Sequence, residues 1–332
     1  MTRKILAFIF VLSFVGFLPA AAAASTLTTA QTSAIVGLLE AFNVAQAIVD
    51  QVERILTSAA APAAVAAAGA PDPVAATSTP PVPHVPVIGS LYPSSSVGYD
   101  LSFNTRDYPV MPFGFAVVGV TGGKAYVESA RLASEFSWAR LAASVRPTLY
   151  MNLNAPYGST ATDAHLSSPK TCGVLFFAAT SSAGAYPEPT VCAAYNYGFN
   201  AAADAFAYAT KNSVSSPFWW LDIEEANSWS DNVAVNDATI QGAIDYLNAQ
   251  GIRVGLYSVP SMWRNIAGAS FTPTQAIGGS AVPIPNWFPV GIMTQVSAIN
   301  SCLTAAGFTN GSPVWIVQYE ANSTAVDQNI AC

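Results

Sequence analysis

Pro217-Phe-Trp-Trp-Leu-Asp-Ile-Glu-Glu225 reads as a strand buried on both faces that ends in acid. Its apolar density is that of a central strand in a sheet covered on both sides. Strand side chains alternate, so Trp220, Asp222 and Glu224 share one face while Leu221 and Ile223 share the other. Two carboxyls at i and i+2 stand roughly 6–7 Å apart at about 3.3 Å rise per residue. At that range they repel, and at least one pKa rises. A core does not accept such a pair without compensation. Either the strand end is exposed and the acids are solvated, or the pair belongs to a site built around shifted pKa values.

Working outward, strand-like and helix-like runs alternate. VGYDLSF (97–103), FGFAVVGV (113–120) and RPTLYMNLN (146–154) precede the acidic strand, with helical patterns over 128–143 and 199–211. After it come a helix over 237–250 stopped by Gly251, the strand RVGLYSV (253–259), another strand over 287–292 and a helix over 294–306. VWIVQY (314–319) and a short piece near Val326-Asp327 close the chain. Up to eight strands with intervening helices predict an α/β domain over 94–332: a single TIM-like (β/α)8 barrel with a parallel sheet, irregular in places. A doubly wound sheet is the alternative, but no Gly-rich phosphate turn follows the first strand.

In a barrel, the strand C-termini converge on one face, where active sites form. Here those ends carry Asp100, Ser102 and Asn104; Tyr150, Asn152 and Asn154; Asp222 and Glu224; Tyr257; and Gln318, Tyr319 and Asp327. Trp220 and Trp229 lie nearby in sequence. Carboxylates for acid–base work, amides and hydroxyls for sugar hydroxyls and flat rings for sugar faces suit a carbohydrate. Each aromatic taken alone is as well explained by packing. Other chemistries lack their residues. There is no G-x-S-x-G, P-loop or dinucleotide fingerprint. With only His84 and His165 and no C-x-x-C or H-E-x-x-H, neither a metal nor a cofactor is expected.

The 332 residues are 52% hydrophobic and 9% charged, with a net charge of −7 and no basic cluster, which argues against nucleic acid or an anionic membrane surface as partner. Residues 1–24, a basic start, an apolar run and an A-x-A-rich end, read as a signal peptide, or as a membrane anchor if uncleaved. Residues 25–57 carry apolar side chains at helical spacing and form a helical segment, either a cell-wall or association module or a plain spacer. Residues 58–93 are an Ala/Pro-rich linker. The expected location is secreted, extracellular or attached to the cell envelope. Export permits disulfides, and of three possible connectivities the sequence-local one, Cys172–Cys192 with Cys302–Cys332, is favoured.

YDLSFN, FAVVGVTGG, YNYGFNAAADAFAYA, WWLDIEEANSWS, VGLYSVPSMW and VWIVQYE…AVDQNIAC, in this order, resemble exported bacterial barrels related to glycoside hydrolase family 25, over about residues 96–332. The resemblance implies a (β/α)8-like barrel, a D-x-E catalytic pair at Asp222 and Glu224, acids at Asp100 and Asp327, and a pocket tyrosine at Tyr257. It departs from the muramidase pattern in the opening Asp100-Leu-Ser102-Phe-Asn104 and in Gly119-Val-Thr121-Gly-Gly123. Chemistry and resemblance together predict Glu224 as a protonated general acid. Asp222 is then the ionised neighbour that stabilises charge or orients a substrate N-acetyl group. The expected partner is cell-wall glycan or another extracellular polysaccharide, cleaved or, alternatively, bound without catalysis.

Overall fold

The computed structural model describes residues 90–332 apart from 106, 110, 111, 157–162, 177–187, 278, 310 and 323–325. The readings of residues 1–24, 25–57 and nearly all of 58–93 lie outside the described residues. Eight strands close into a barrel. They are β1 (Val97–Leu101), β2 (Phe115–Gly119), β3 (Thr148–Asn152), β4 (Phe218–Asp222), β5 (Arg253–Tyr257), β8 (Asn286–Ile292), β9 (Val314–Glu320) and β10 (Gln328–Ala331). A hairpin of β6 (Gln275–Ile277) and β7 (Ser280–Val282) stands apart. The order around the barrel is β1-β10-β9-β8-β5-β4-β3-β2.

The barrel departs from the all-parallel expectation at its end. β10 runs antiparallel to both β9 and β1, while the other neighbouring pairs are parallel. Chain length explains this. Only residues 321–327 separate β9 from β10, and a parallel crossover needs a dozen residues or more. No helix forms among the described residues of the β1–β2 connection either, so the (β/α) repeat is incomplete.

The helices cover the outside. They are α1 (Leu132–Ala142), α2 (Asp163–Leu166), α3 (Val191–Lys211), α4 (Val233–Ala249), α5 (Pro260–Ala267) and α6 (Gln295–Thr304). The α3 helix begins eight residues before the expected Phe199, because Thr190 caps it: its Oγ1 accepts from the Ala193 N–H at 3.2 Å. Periodicity alone missed α5, although Pro260 opens it and Gly268 follows it. Among the described residues no helix is long and apolar enough to cross a membrane.

Two cores result. Leu149, Met151, Trp219, Leu221, Val254 and Leu256 point outward into the helix layer. Phe115, Val117, Tyr150, Phe218, Trp220 and Trp287 fill the barrel. Small residues opposite make room for these rings. A Cβ on Gly255 would stand 2.3 Å from Trp220, and one on Gly119 2.8 Å from Tyr150. Tyr92, two residues before the expected start of the domain, lies against Phe115 and bonds Thr148 Oγ1 at 2.7 Å.

One gap in the barrel is closed by a side chain. β5 meets β8 only at Leu256 and Tyr257, leaving Val254 without a strand neighbour on that side. The Gln275 amide takes the strand's place, accepting from the Val254 N–H and donating to its carbonyl, both at 3.0 Å. Both expected disulfides are present, Cys172–Cys192 tying a loop to the first turn of α3 and Cys302–Cys332 tying α6 to the C-terminus.

Candidate active site

Parallel pairing sets Trp220 beside Tyr150 and Gly255 at one level, and Asp222 beside Asn152 and Tyr257 at the next. Side chains on that inner face therefore leave the packed floor and enter a cleft at the C-terminal mouth. The cleft has a volume of about 300 Å³ and is lined by Asp100, Tyr150, Asn152, Asp222, Glu224, Tyr257, Trp287, Gln318, Glu320 and Asp327, with Ser102, Phe103 and Asn104 at the β1 end. All four acids predicted from the sequence meet here.

Asp222 is the deep member of the pair, 5% exposed, while Glu224 is half-buried two residues beyond the strand. The Asn152 amide donates to Oδ2 of Asp222. Asn152 is itself fixed by Thr121, whose Oγ1 donates to Oδ1 of Asn152 at 2.8 Å and accepts from its N–H at 2.8 Å. Oδ1 of Asp222 receives no donor, and the Glu224 carboxyl stands at hydrogen-bond range of the Asp222 carboxyl. Burial, and after it the Glu224 charge, pushes Asp222 well above the usual carboxylate range. The physical cause is depth: desolvation penalises the charged form of Asp222.

A second network holds Asp100. Its Oδ1 accepts from Gln318 Nε2 at 3.1 Å and from Asn329 Nδ2 at 2.7 Å. Tyr257 donates its hydroxyl to Gln318 Oε1 at 2.9 Å, and Trp287 Nε1 donates to Asn329 Oδ1 at 2.8 Å. Burial, then the charge of Asp327, raises Asp100 to about 8 against those hydrogen bonds. Burial, then Glu320 and Glu224, raises Asp327 to about 6. Burial also holds the Tyr150 and Tyr257 hydroxyls neutral, well above their usual value, with the surrounding carboxylates adding to the shift.

Three sequence-predicted contacts lie outside the cleft. Trp220 is fully buried below the acids, and its Nε1 donates to the Tyr92 hydroxyl at 3.0 Å, so it is floor packing and no sugar platform. Asn154, past the end of β3, braces loops: its amide donates to Ala155 O and to the Tyr197 hydroxyl, and its oxygen accepts from Ala125 N. Tyr319 packs outward against Ala298, Val317 and Ile330 and bonds Gln328. Trp229 also points away, its indole N–H holding the Glu224 backbone carbonyl at 2.7 Å. Conversely, Glu320, Trp287, Phe103 and the supports Thr121 and Asn329 were not singled out by sequence. Alternation would have found two of them: Glu320 follows Gln318 at i+2, and Asn329 follows Asp327 at i+2.

A family profile described as Lysozyme-like protein 1 matches residues 147–277, the stretch from β3 through β6 that carries Asp222 and Glu224. Over 89 residues the chain is 35% identical to "Probable GH family 25 lysozyme 4" of Dictyostelium discoideum, an alignment covering 26% of this chain and 38% of that lysozyme. Over that stretch the chain is similar to lysozyme-like proteins of glycoside hydrolase family 25, and it spans well under half the length of the curated lysozyme it matches. Solved structures similar to this chain include the catalytic domain of endolysin ply40 from bacteriophage P40 of Listeria monocytogenes. It shares 16% identity with a TM-score of 0.39, over 71% of this chain and 92% of that one. The bacterial lysozyme from Streptomyces coelicolor shares 15% identity with a TM-score of 0.40, over 72% and 92%.

Proposed function

We propose that this protein is a secreted or envelope-associated glycosidase that cleaves β-1,4-linked, N-acetylated cell-wall glycan in the manner of a muramidase. The observation that carries the reading is the Asp222–Glu224 pair, two carboxyls in hydrogen-bond range at the base of an open cleft. In this reading one proton is shared between the two carboxyls, and Glu224, the half-buried member, reaches substrate and passes it to the glycosidic oxygen as the bond to the anomeric carbon breaks. The electron pair of that bond leaves with the oxygen. The positive charge developing on the sugar then faces two ionised carboxylates where one proton had been held. Asp222 stabilises that charge or orients the substrate's acetamido oxygen toward the anomeric carbon. Burial makes both interactions stronger than they would be in water.

Clearing of purified peptidoglycan by the wild-type protein and by Glu224→Gln tests the reading. We expect at least about a hundredfold loss in the variant, the range for a missing general acid. Equal clearing by the two proteins would overturn it. The altered β1 and β2 ends favour one other reading, a barrel that binds glycan or acts on a different extracellular polysaccharide. Saturable binding unaffected by Glu224→Gln, with no product by mass spectrometry, would establish binding alone.

A further inference from the structure

Phe103 lies two residues beyond β1, lines the cleft and leaves 44% of its surface exposed. The other aromatic residues of the cleft, Tyr150, Tyr257 and Trp287, pack into the barrel. A single exposed apolar side chain needs no explanation by itself, but this ring is held in place. Gly123 has a φ of 87°, and a Cβ there would stand 2.8 Å from Cε1 and 3.0 Å from Cζ of Phe103. The edge of the ring therefore rests on bare backbone, at a position where both the conformation and the ring favour glycine.

The loop that carries Phe103 is closed on itself. The Thr105 N–H donates to the Ser102 carbonyl at 2.9 Å, and the Ser102 N–H donates to Thr105 Oγ1 at 2.9 Å. The Ser102 hydroxyl donates to Oδ1 of Asn104, which fixes the amide. No described residue accepts from Nδ2 of Asn104, and Asn104 lines the same cleft. One short turn thus presents a flat apolar face beside a free donor. A pyranose ring is the complement, with C–H groups on its faces and acceptor oxygens around its edge. A phosphorylated or carboxylated ligand is not, because five carboxyls line the rest of the cleft.

We infer that Phe103 and Asn104 form a sugar subsite at the β1 rim, taking the pyranose unit next to the one bound over Asp222 and Glu224. Phe103 stacks on a face of that ring, and Asn104 donates to an oxygen at its edge. Because the turn is already ordered, little entropy is lost when the sugar arrives. The inference rests on the glycosidase reading for the placement of the neighbouring unit; binding at the rim is measured apart from cleavage.

Titration calorimetry of the whole protein with fully N-acetylated chitotetraose tests this. Phe103→Ala should bind about tenfold more weakly than wild type, the size of one lost aromatic stack. Phe103→Tyr keeps a flat ring and should stay within about twofold. Phe103→Leu keeps apolar bulk without the flat face and should fall close to Phe103→Ala. Asn104→Ala should cost about threefold, the effect of one hydrogen bond. Circular dichroism checks that each variant is folded. Wild-type protein that does not bind the tetramer, an unchanged affinity in Phe103→Ala, or a leucine that serves as well as tyrosine would overturn the subsite. Mass spectrometry of the same mixtures separates the two ideas. Ring-dependent binding without products keeps the subsite and removes the glycosidase; products with an affinity that Phe103→Ala leaves intact remove the subsite alone.

Discussion

Asn152 and Asp222 occupy paired positions on β3 and β4, and the amide of the first donates to the inner carboxylate oxygen of the second. That bond is the lowering influence on an acid that burial and Glu224 otherwise push upward. Removing it in Asn152→Ala raises Asp222 further, because a lost donor no longer favours the charged form. If the shared proton is needed for cleavage, activity falls on the alkaline side as the pair loses it. We therefore expect the alkaline limb of the pH–activity profile to move to higher pH in Asn152→Ala, by about one unit for a single hydrogen bond. A limb that stays in place or moves down would show that another group controls it.

Asp100 carries a stability prediction of definite sign. Its pKa rises on folding from an ordinary 3.8 to about 8. Between those values the folded state binds a proton that the unfolded state has released, so stability is fully present below pH 4 and is lost as pH rises toward 8. Asp100→Asn keeps an acceptor for Gln318 and Asn329 and removes the titration. The variant should match wild type near pH 4 and melt higher at pH 8, by about 2–4 °C for each kcal/mol in a domain of this size. Melting followed by circular dichroism at both pH values decides; a lower Tm for the variant at pH 8 would contradict the assignment.

The course of the chain explains which of these residues could be read in advance. WWLDIEE declared both its strand and its acids, since alternation places Asp222 and Glu224 on one face whatever the fold. The same rule separates Gln318 from Tyr319: neighbours in a strand cannot both face the cleft, and the structure turns Tyr319 outward and Glu320 inward. Trp220 shares the face of Asp222 but not its height. Depth along a barrel axis depends on register with β3 and β5, which no single strand encodes. The support Thr121 was hidden for a related reason, because its partner Asn152 lies 31 residues away. β10 reversed direction for want of connecting chain, a cue that was present in the spacing after Glu320.

The C-terminal strand depends on a bridge. Cys302 in α6 and Cys332 are joined across 30 residues that include β9 and β10. Loss of a loop of this size from the constrained unfolded chain costs about 3–4 kcal/mol in the chain-entropy account. Cys302→Ser/Cys332→Ser should lower the urea midpoint by that amount of stability. The candidate site should suffer too, since Asn329 and Gln318, which hold Asp100, stand on the tethered strands. A variant that unfolds at the wild-type midpoint would show that packing of Ile330 and Val317 alone fixes β10.

Trp220 and Gly255 face each other inside the barrel, and the space between them is already taken. A Cβ at position 255 would stand 2.3 Å from Cζ3 and 2.4 Å from Cε3 of the Trp220 ring. Gly255→Ala should therefore cost about 1–3 kcal/mol, the range for overpacking a well-filled core. The clash falls on the six-membered ring of the indole, which a phenyl ring set on the same Cβ does not reach in the same place. Trp220→Phe also loses the bond from Nε1 to the Tyr92 hydroxyl, a separate cost of about 1 kcal/mol. The two substitutions should then be less than additive: Gly255→Ala costs little in the Trp220→Phe background. Urea denaturation of the four proteins closes the cycle. Strict additivity would show that position 255 is crowded by Phe218, whose Cζ lies 3.0 Å away, and not by the indole.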